Sequence, residues 1–201
     1  MRWEHRAGNG RLVKLSVGEY DNNAFVLTCE RTRKAVVVDA AAEAPRILAE
    51  TEGYDVQAIL TTHGHFDHLQ AVDDVKHALG VPFRMHRSDT EIAGRTPDLP
   101  LTDDQEIEVG DVLVHVVHTP GHTPGSVCFV VEPWLMSGDT LFPGGPGATR
   151  WEYSDFGQIM DSLERRLFVL PDPTIVFPGH GADTTLGKER PELPSWRARG
   201  W

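Results

Sequence analysis

Cysteine is nearly absent: only Cys29 and Cys128 occur in 201 residues. Each sits inside an apolar run, so buried free thiols are expected rather than a disulfide framework. Positive charge is also short, with 19 Lys plus Arg against 30 Asp plus Glu and a formal charge of -11. That deficit weighs against a nucleic-acid backbone or an anionic membrane surface as the partner. No run approaches the roughly eighteen apolar residues of a membrane-spanning helix. The charged start, Met1-Arg2-Trp3-Glu4-His5-Arg6, leads into no apolar signal core, and a cytoplasmic protein is expected. Neither a repeat period nor a low-complexity segment is present.

What remains is an ordinary globular composition, 40% hydrophobic and 24% charged, of a length that predicts one domain over residues 1–201. Strands are predicted at Leu12–Val17, Ala24–Cys29, Ala35–Asp39 and Val56–Thr62, with Asp21-Asn22-Asn23 as a turn. Further strands are expected at Val81–Met85, Asp111–Thr119, Ser126–Glu132, Trp134–Ser137 and Thr174–Phe177. Helices are predicted over Pro45–Glu52 and after Leu69, and a third with Ser154 as its N-cap and Phe156, Ile159, Met160, Leu163 and Leu167 on its apolar face. Asp161 and Arg165 stand at i,i+4 on that helix and suit a weak pair. Residues 86–110 show little pattern. This order of elements suits mixed sheets flanked by helices, an α/β arrangement, better than a doubly wound parallel sheet.

One composition entry is unusual: ten histidines. Four metal-competent side chains fall together in Thr62-His63-Gly64-His65-Phe66-Asp67-His68, between a strand end and a helix start. Imidazole and carboxylate are the usual zinc ligands and also suit iron and manganese. His63 and His65 project the same way from an extended segment. A tetrahedral ion that keeps an open position cannot readily use all four, so two ions become plausible. Helix capping offers a simpler role for Asp67, but it does not account for three histidines. His122 (in Pro120-Gly121-His122-Thr123-Pro124-Gly125), Asp139 (in Ser137-Gly138-Asp139-Thr140) and His180 (in Pro178-Gly179-His180-Gly181) each sit beside glycine where a strand runs out. Taken singly, each also fits an ordinary turn.

On these motifs, in this order, the sequence resembles the metallo-β-lactamase-fold hydrolase superfamily, and within it the glyoxalase II-like branch, over roughly residues 12–190. The resemblance implies a four-layer αββα sandwich. It also implies a ligand set: His63, His65 and His122 on one metal, Asp67, His68 and His180 on the other, with Asp139 bridging. Two divalent ions, zinc first and iron or manganese next, would then share a water and lower its pKa from 15.7 toward about 7. The implied activity is hydrolysis of a thioester, with a small anionic thioester as the expected substrate; Asp67 is a candidate for a second role, orienting the hydroxide.

Some features depart from that branch or stay open. Only twenty-one residues follow His180, too few for the helical glutathione-gripping domain of larger relatives. Lys188, Arg190 and Arg197 suit either a substrate carboxylate or a solvated basic tail. Arg150, the one cation of the loop Pro143–Arg150, is a candidate substrate contact, with Glu152 or Asp155 as alternative partners. His118 is either structural or orients a ligand through its other ring nitrogen, and it lies on the opposite strand face from His115. His5, His77 and His86 are expected at the surface. The tryptophans at 3, 134, 151, 196 and 201 show no spacing of a stacking platform. Mononuclear iron sulfur dioxygenases, which use positions matching His63, His122 and Asp139, are the principal alternative. Lactone and β-lactam hydrolysis are further rivals. A nuclease is disfavoured by the charge, and a metal-binding partner of a flavin module by His65.

Overall fold

The computed structural model describes residues 1–200, and Trp201 lies outside the described residues. Its elements run β1 (Arg2–Ala7), β2 (Gly10–Val17), β3 (Asn22–Cys29), β4 (Lys34–Val38), α1 (Ala44–Thr51), β5 (Asp55–Leu60), α2 (Val72–Leu79), β6 (Phe83–Arg84), α3 (Thr90–Ala93), β7 (Glu106–Val109), β8 (Val112–His118), β9 (Val127–Val131) and β10 (Trp134–Gly138). They continue with β11 (Leu141–Phe142), β12 (Gly145–Pro146), α4 (Phe156–Ser162), β13 (Ile175–Pro178), β14 (Thr184–Thr185), α5 (Leu186–Glu189) and α6 (Leu193–Arg199). One six-stranded sheet has the order β1-β2-β3-β4-β5-β6 and the other β14-β13-β10-β9-β8-β7. Both are mixed: β4 pairs parallel to β5, β5 to β6 and β10 to β13, and the remaining pairs are antiparallel.

The strands read as continuous apolar runs because both faces are covered. Along β3, Ala24 and Val26 face α1 and α2, while Phe25, Leu27 and Cys29 face the opposing sheet. Along β9 the alternation repeats, with Val127, Phe129 and Val131 between the sheets and Cys128 and Val130 beneath α4. Period-two alternation thus builds three apolar layers in a helix–sheet–sheet–helix sandwich, as the sequence predicts. Cys29 and Cys128 are buried free thiols, also as predicted. No helix among the described residues is long and apolar enough to cross a membrane.

Several local expectations need correction. Strand β1 carries no apolar signal because it is an edge strand whose alternate side chains, Arg2, Glu4 and Arg6, form ion pairs at the surface. Asn22 and Asn23 open β3 rather than completing a turn. Residues 86–110 hold α3 and β7. The cap of α4 is Asp155, whose carboxylate accepts from Gln158 N at 2.9 Å, whereas Ser154 Oγ donates to His122 O at 2.7 Å. Asp161 takes Arg197, not its helical neighbour, as its ion-pair partner at 2.9 Å.

Residues 186–199 are not a solvated tail. They form α5 and α6, and Trp196 is buried against the α4 layer. Arg197 reaches Asp161 and Glu164, and Arg190 pairs with Asp172. These two cations thus spend their charge on the packing of the C-terminal segment. Trp196→Ala is expected to destabilise the protein by about 3–5 kcal/mol, the range for truncating a buried aromatic. A urea melt should show a lower midpoint at unchanged slope.

Candidate metal centre

Parallel pairing decides where the polar residues meet. Because β4 and β5 run together, and β10 and β13 run together, their C-terminal ends emerge on one edge of the sandwich. Asp39 follows β4, His63 follows β5, Asp139 follows β10 and His180 follows β13, while His122 sits in the β8–β9 turn. Backbone bonds lock the two sheets at this edge: Val127 N donates to Thr62 O at 2.8 Å, and Asn23 N donates to Gly179 O at 2.7 Å.

All seven predicted donors converge there. His63 Nε2 and His122 Nε2 each approach His65 Nδ1 to 3.0 Å. Beside this trio, His180 Nε2 lies 3.2 Å from Asp67 Oδ2 and 3.3 Å from His68 Nε2. Asp139 stands between the trios, with Oδ2 3.5 Å from His122 Nε2 and 3.6 Å from His180 Nε2, and Oδ1 3.5 Å from His68 Nε2. Within each trio the donor atoms lie within 4.8 Å of one another. His63, His68 and His122 are buried, and His65, Asp67, Asp139 and His180 are partly open to the cleft.

The outward nitrogens explain why the inward ones are free to bind. His68 Nδ1 donates to Asp39 Oδ2 at 3.0 Å, His122 Nδ1 to Ala148 O at 2.8 Å and His180 Nδ1 to Tyr20 O at 2.8 Å. Thr62 Oγ1 gives its own proton to Asp39 Oδ2 and so accepts from His63 Nδ1 at 3.1 Å. With Nδ1 facing its trio, His65 donates from Nε2 to Tyr153 Oη at 2.8 Å. Oxygen on the outer nitrogen selects the tautomer with a lone pair on the inner one. In the His63–His65–His122 trio, neutral imidazoles arranged this way face lone pair to lone pair, which a cation between them relieves. Asp139 Oδ1 is likewise buried without a hydrogen-bond partner. A buried carboxylate oxygen left so is costly unless it is ligated. The residues therefore fit a pair of divalent cations.

Charge state follows the same division. Burial, then the charges of His68 and His122, hold His63 well below the usual imidazole range. Burial and His122 push His65 down to about 4, and burial also lowers His122. Burial opposes protonation of His68 too, but Asp139 and Asp39 overcome it and hold this ring well above the usual range. For Asp139, burial is outweighed by the charges of His68 and His122, and the carboxyl falls to about 2. Burial is also outweighed at Asp67, by the hydrogen bond with His180 and by His68, so it stays below the usual carboxylate range.

Two buried carboxylates that the sequence reading missed hold the donor loops. Asp39 accepts from Thr62 N at 2.8 Å as well as from Thr62 Oγ1 and His68. Asp89 accepts from Gly64 N at 2.7 Å, Thr123 Oγ1 at 2.7 Å and Gly125 N at 2.6 Å, and so joins the His63–His68 loop to the His122 turn. Gly125 is required there, since a Cβ would lie 2.6 Å from Asp89 Cγ. Gly179 is required for the same reason: its Cβ would lie 2.2 Å from Asp139 Oδ1. A third omission is Asn22, which donates to Asp67 Oδ2 at 3.0 Å.

The donors open into a cleft of about 610 Å³, within the usual range of small-molecule sites. Arg150 lines its mouth, exposed, with its guanidinium 4.9 Å from the Trp151 ring centre. Neither Glu152 nor Asp155 pairs with Arg150, which has no ion-pair partner among the described residues. Lys188, Arg190 and Arg197 do not line the cleft. Trp151 does, against the expectation of no platform: it stacks parallel to Tyr153 at 6.1 Å and tilts over His65 at 4.6 Å. His118 touches none of the donors; it donates to Pro124 O at 2.9 Å and stacks on His86 at 4.4 Å. His77 is exposed, and His5 and His86 are half-buried.

This architecture and site mark a metal-dependent hydrolase fold, and the family model of the metallo-beta-lactamase superfamily matches residues 17–180. The chain belongs to that superfamily. It is 35% identical over 196 residues to an uncharacterized protein of Aquifex aeolicus, covering 88% of this chain and 92% of that one. It is 30% identical over 184 residues to the hydroxyacylglutathione hydrolase GloC of Haemophilus influenzae, covering 81% and 87%. Among solved structures, BLEG-1 B3 metallo-beta-lactamase matches with a TM-score of 0.80 at 32% identity, over 92% of this chain and 98% of the other. ETHE1 from Myxococcus xanthus matches at 0.80 and 27%, over 90% and 82%. TTHA1623, solved in a di-iron-bound form, matches at 0.76 and 33%, over 88% and 96%.

Loss of an outer hydrogen bond should weaken metal binding without touching a donor. Asp39→Ala frees His68 Nδ1 and Thr62 and is expected to lower divalent-metal affinity about 10–100-fold. Competition with a chromophoric chelator measures it.

Proposed function

We propose that the chain is a two-metal hydrolase of thioesters of the glyoxalase II-like type, one domain spanning residues 1–201. One observation carries the reading: two complete three-donor groups share Asp139 at an open cleft, with all five outer imidazole nitrogens bonded to oxygen. In this reading His63, His65 and His122 hold one ion, Asp67, His68 and His180 hold the other, and Asp139 bridges. A bound pair of divalent cations, zinc in the first instance, supplies a Lewis acid for the thioester carbonyl and lowers the pKa of a water to the neutral range. The 30% identity to GloC supports a thioester as substrate.

The chain's own groups do the rest. Asp67 is steered by the Asn22 amide, so its carboxylate is aimed to accept a hydrogen bond from the attacking water and orient it. Arg150 offers its unpaired charge to an anionic substrate at the mouth. The aromatic side chains around the cleft limit water access once substrate is seated.

The likeness to ETHE1 favours a second reading, a mononuclear iron persulfide dioxygenase using His63, His122 and Asp139. Elemental analysis separates the two. Two metals per chain with thioester hydrolysis supports the hydrolase, and one iron with oxygen uptake on a persulfide overturns it. His180→Ala sharpens the contrast: it should abolish hydrolysis and lower metal content toward one ion, yet spare a site built on His63, His122 and Asp139. Lactones and β-lactams belong in the same screen. Asp67→Asn should weaken binding of the second ion and, at saturating metal, lower kcat by about 100-fold, at the lower end for a positioned acid or base. Full turnover in that variant rules out the orienting role.

A further inference from the structure

Large hydrophobic side chains exposed at the surface are few, and they are not scattered evenly. Of the eight among the described residues, three are aromatic residues on the rim of this cleft: Tyr20, Phe66 and Tyr153, at 54%, 63% and 38% exposure. Apolar surface concentrated around a concave site marks a binding surface. The rim residues are paired. Phe66 meets Tyr20 edge to face at 5.6 Å, and the Tyr20 carbonyl holds His180, so this pair stands beside the Asp67–His68–His180 trio. Trp151 and Tyr153 stack at 6.1 Å and both meet His65, so the second pair stands beside the other trio.

Each trio therefore has its own aromatic wall, and the bond to be cleaved lies between them. The charge inventory is as uneven as the aromatic one. Arg150 is the only Lys or Arg that lines the cleft, and it rides on the Trp151 side. A glutathione thioester carries two carboxylates and an ammonium on a polar peptide, which a single cation and four aromatic rings match poorly. A molecule with apolar, preferably planar, groups on both sides of its thioester and one carboxylate matches both features.

We infer that the Tyr20–Phe66 and Trp151–Tyr153 pairs clamp the two halves of a monoanionic thioester whose acyl and thiol parts are both apolar, with its carboxylate on Arg150. This assignment of substrate class rests on the hydrolase reading above, but binding tests it separately from turnover. Calorimetry on the metal-containing protein compares two thioethers, 2-(benzylthio)-3-phenylpropanoate, which carries a ring on each side of sulfur and one carboxylate, and S-methylglutathione. The first should bind about tenfold more tightly, the upper size of one added aromatic contact. Phe66→Ala and Trp151→Ala should each weaken it by about fivefold and leave S-methylglutathione unaffected; Phe66 is solvent-exposed, so its truncation spares the core. Arg150→Gln should erase the preference for 2-(benzylthio)-3-phenylpropanoate over its uncharged amide. Equal or tighter binding of S-methylglutathione, or unchanged binding in both alanine variants, overturns the clamp. Failure to hydrolyse any thioester, including S-phenylacetyl-2-mercapto-3-phenylpropanoate, overturns the hydrolase reading alone, because the order of the two thioethers still decides the clamp.

Discussion

The structure depends on holding five imidazoles with their inner nitrogens turned toward one another. Left to itself such a cluster disperses, since the rings prefer water and the inner nitrogens crowd one another. It is held because every outer nitrogen has an oxygen to bond, and because four of those five oxygens belong to backbone or buried side chains that cannot move independently. Asp39 and Asp89 are the anchors of this arrangement. Neither faces the cleft as a donor, yet between them they tie Thr62, Gly64, His68, Thr123 and Gly125. Both are fully buried, where an unpaired carboxylate is very costly, so each rigidly demands its donors.

The sandwich supplies what the anchors need. Parallel pairing within each sheet sends the ends of β4, β5, β10 and β13 to one edge, and the sheet-to-sheet core keeps those edges in register. The C-terminal segment closes the helix layer behind α4 instead of reaching the cleft. With Arg190 and Arg197 committed to Asp172, Asp161 and Glu164, the mouth is left with Arg150 as its cation. Packing at the far end of the chain thereby shapes the charge of the site.

Much of this was legible in the residue order. Apolar runs along β2–β4 and β8–β10 pointed to strands, their order with the helices pointed to mixed sheets, and the dense His63–His68 spacing pointed to metal. His122, Asp139 and His180 were legible as polar residues where strands end, although each alone suits a turn. Strand β1 was not legible, since an edge strand with ion-paired side chains has no apolar periodicity. Nor were the contacts that hold the site. Asp39 meets Thr62 across 23 positions, Asp89 meets Gly125 across 36, Asn22 meets Asp67 across 45 and Tyr153 meets His65 across 88. No local pattern distinguishes those carboxylates and amides from surface residues.

The residue order by itself determined the donor chemistry, the sheet-and-helix class and the acidic charge, because ligand spacing and hydrophobic period are local properties of the chain. Only the tertiary structure decided which oxygens set each imidazole's tautomer, which arginine lines the cleft and which aromatic rings wall it. Those depend on groups far apart in sequence meeting at one edge of the sandwich, where burial turns a weak contact into a strict geometric requirement.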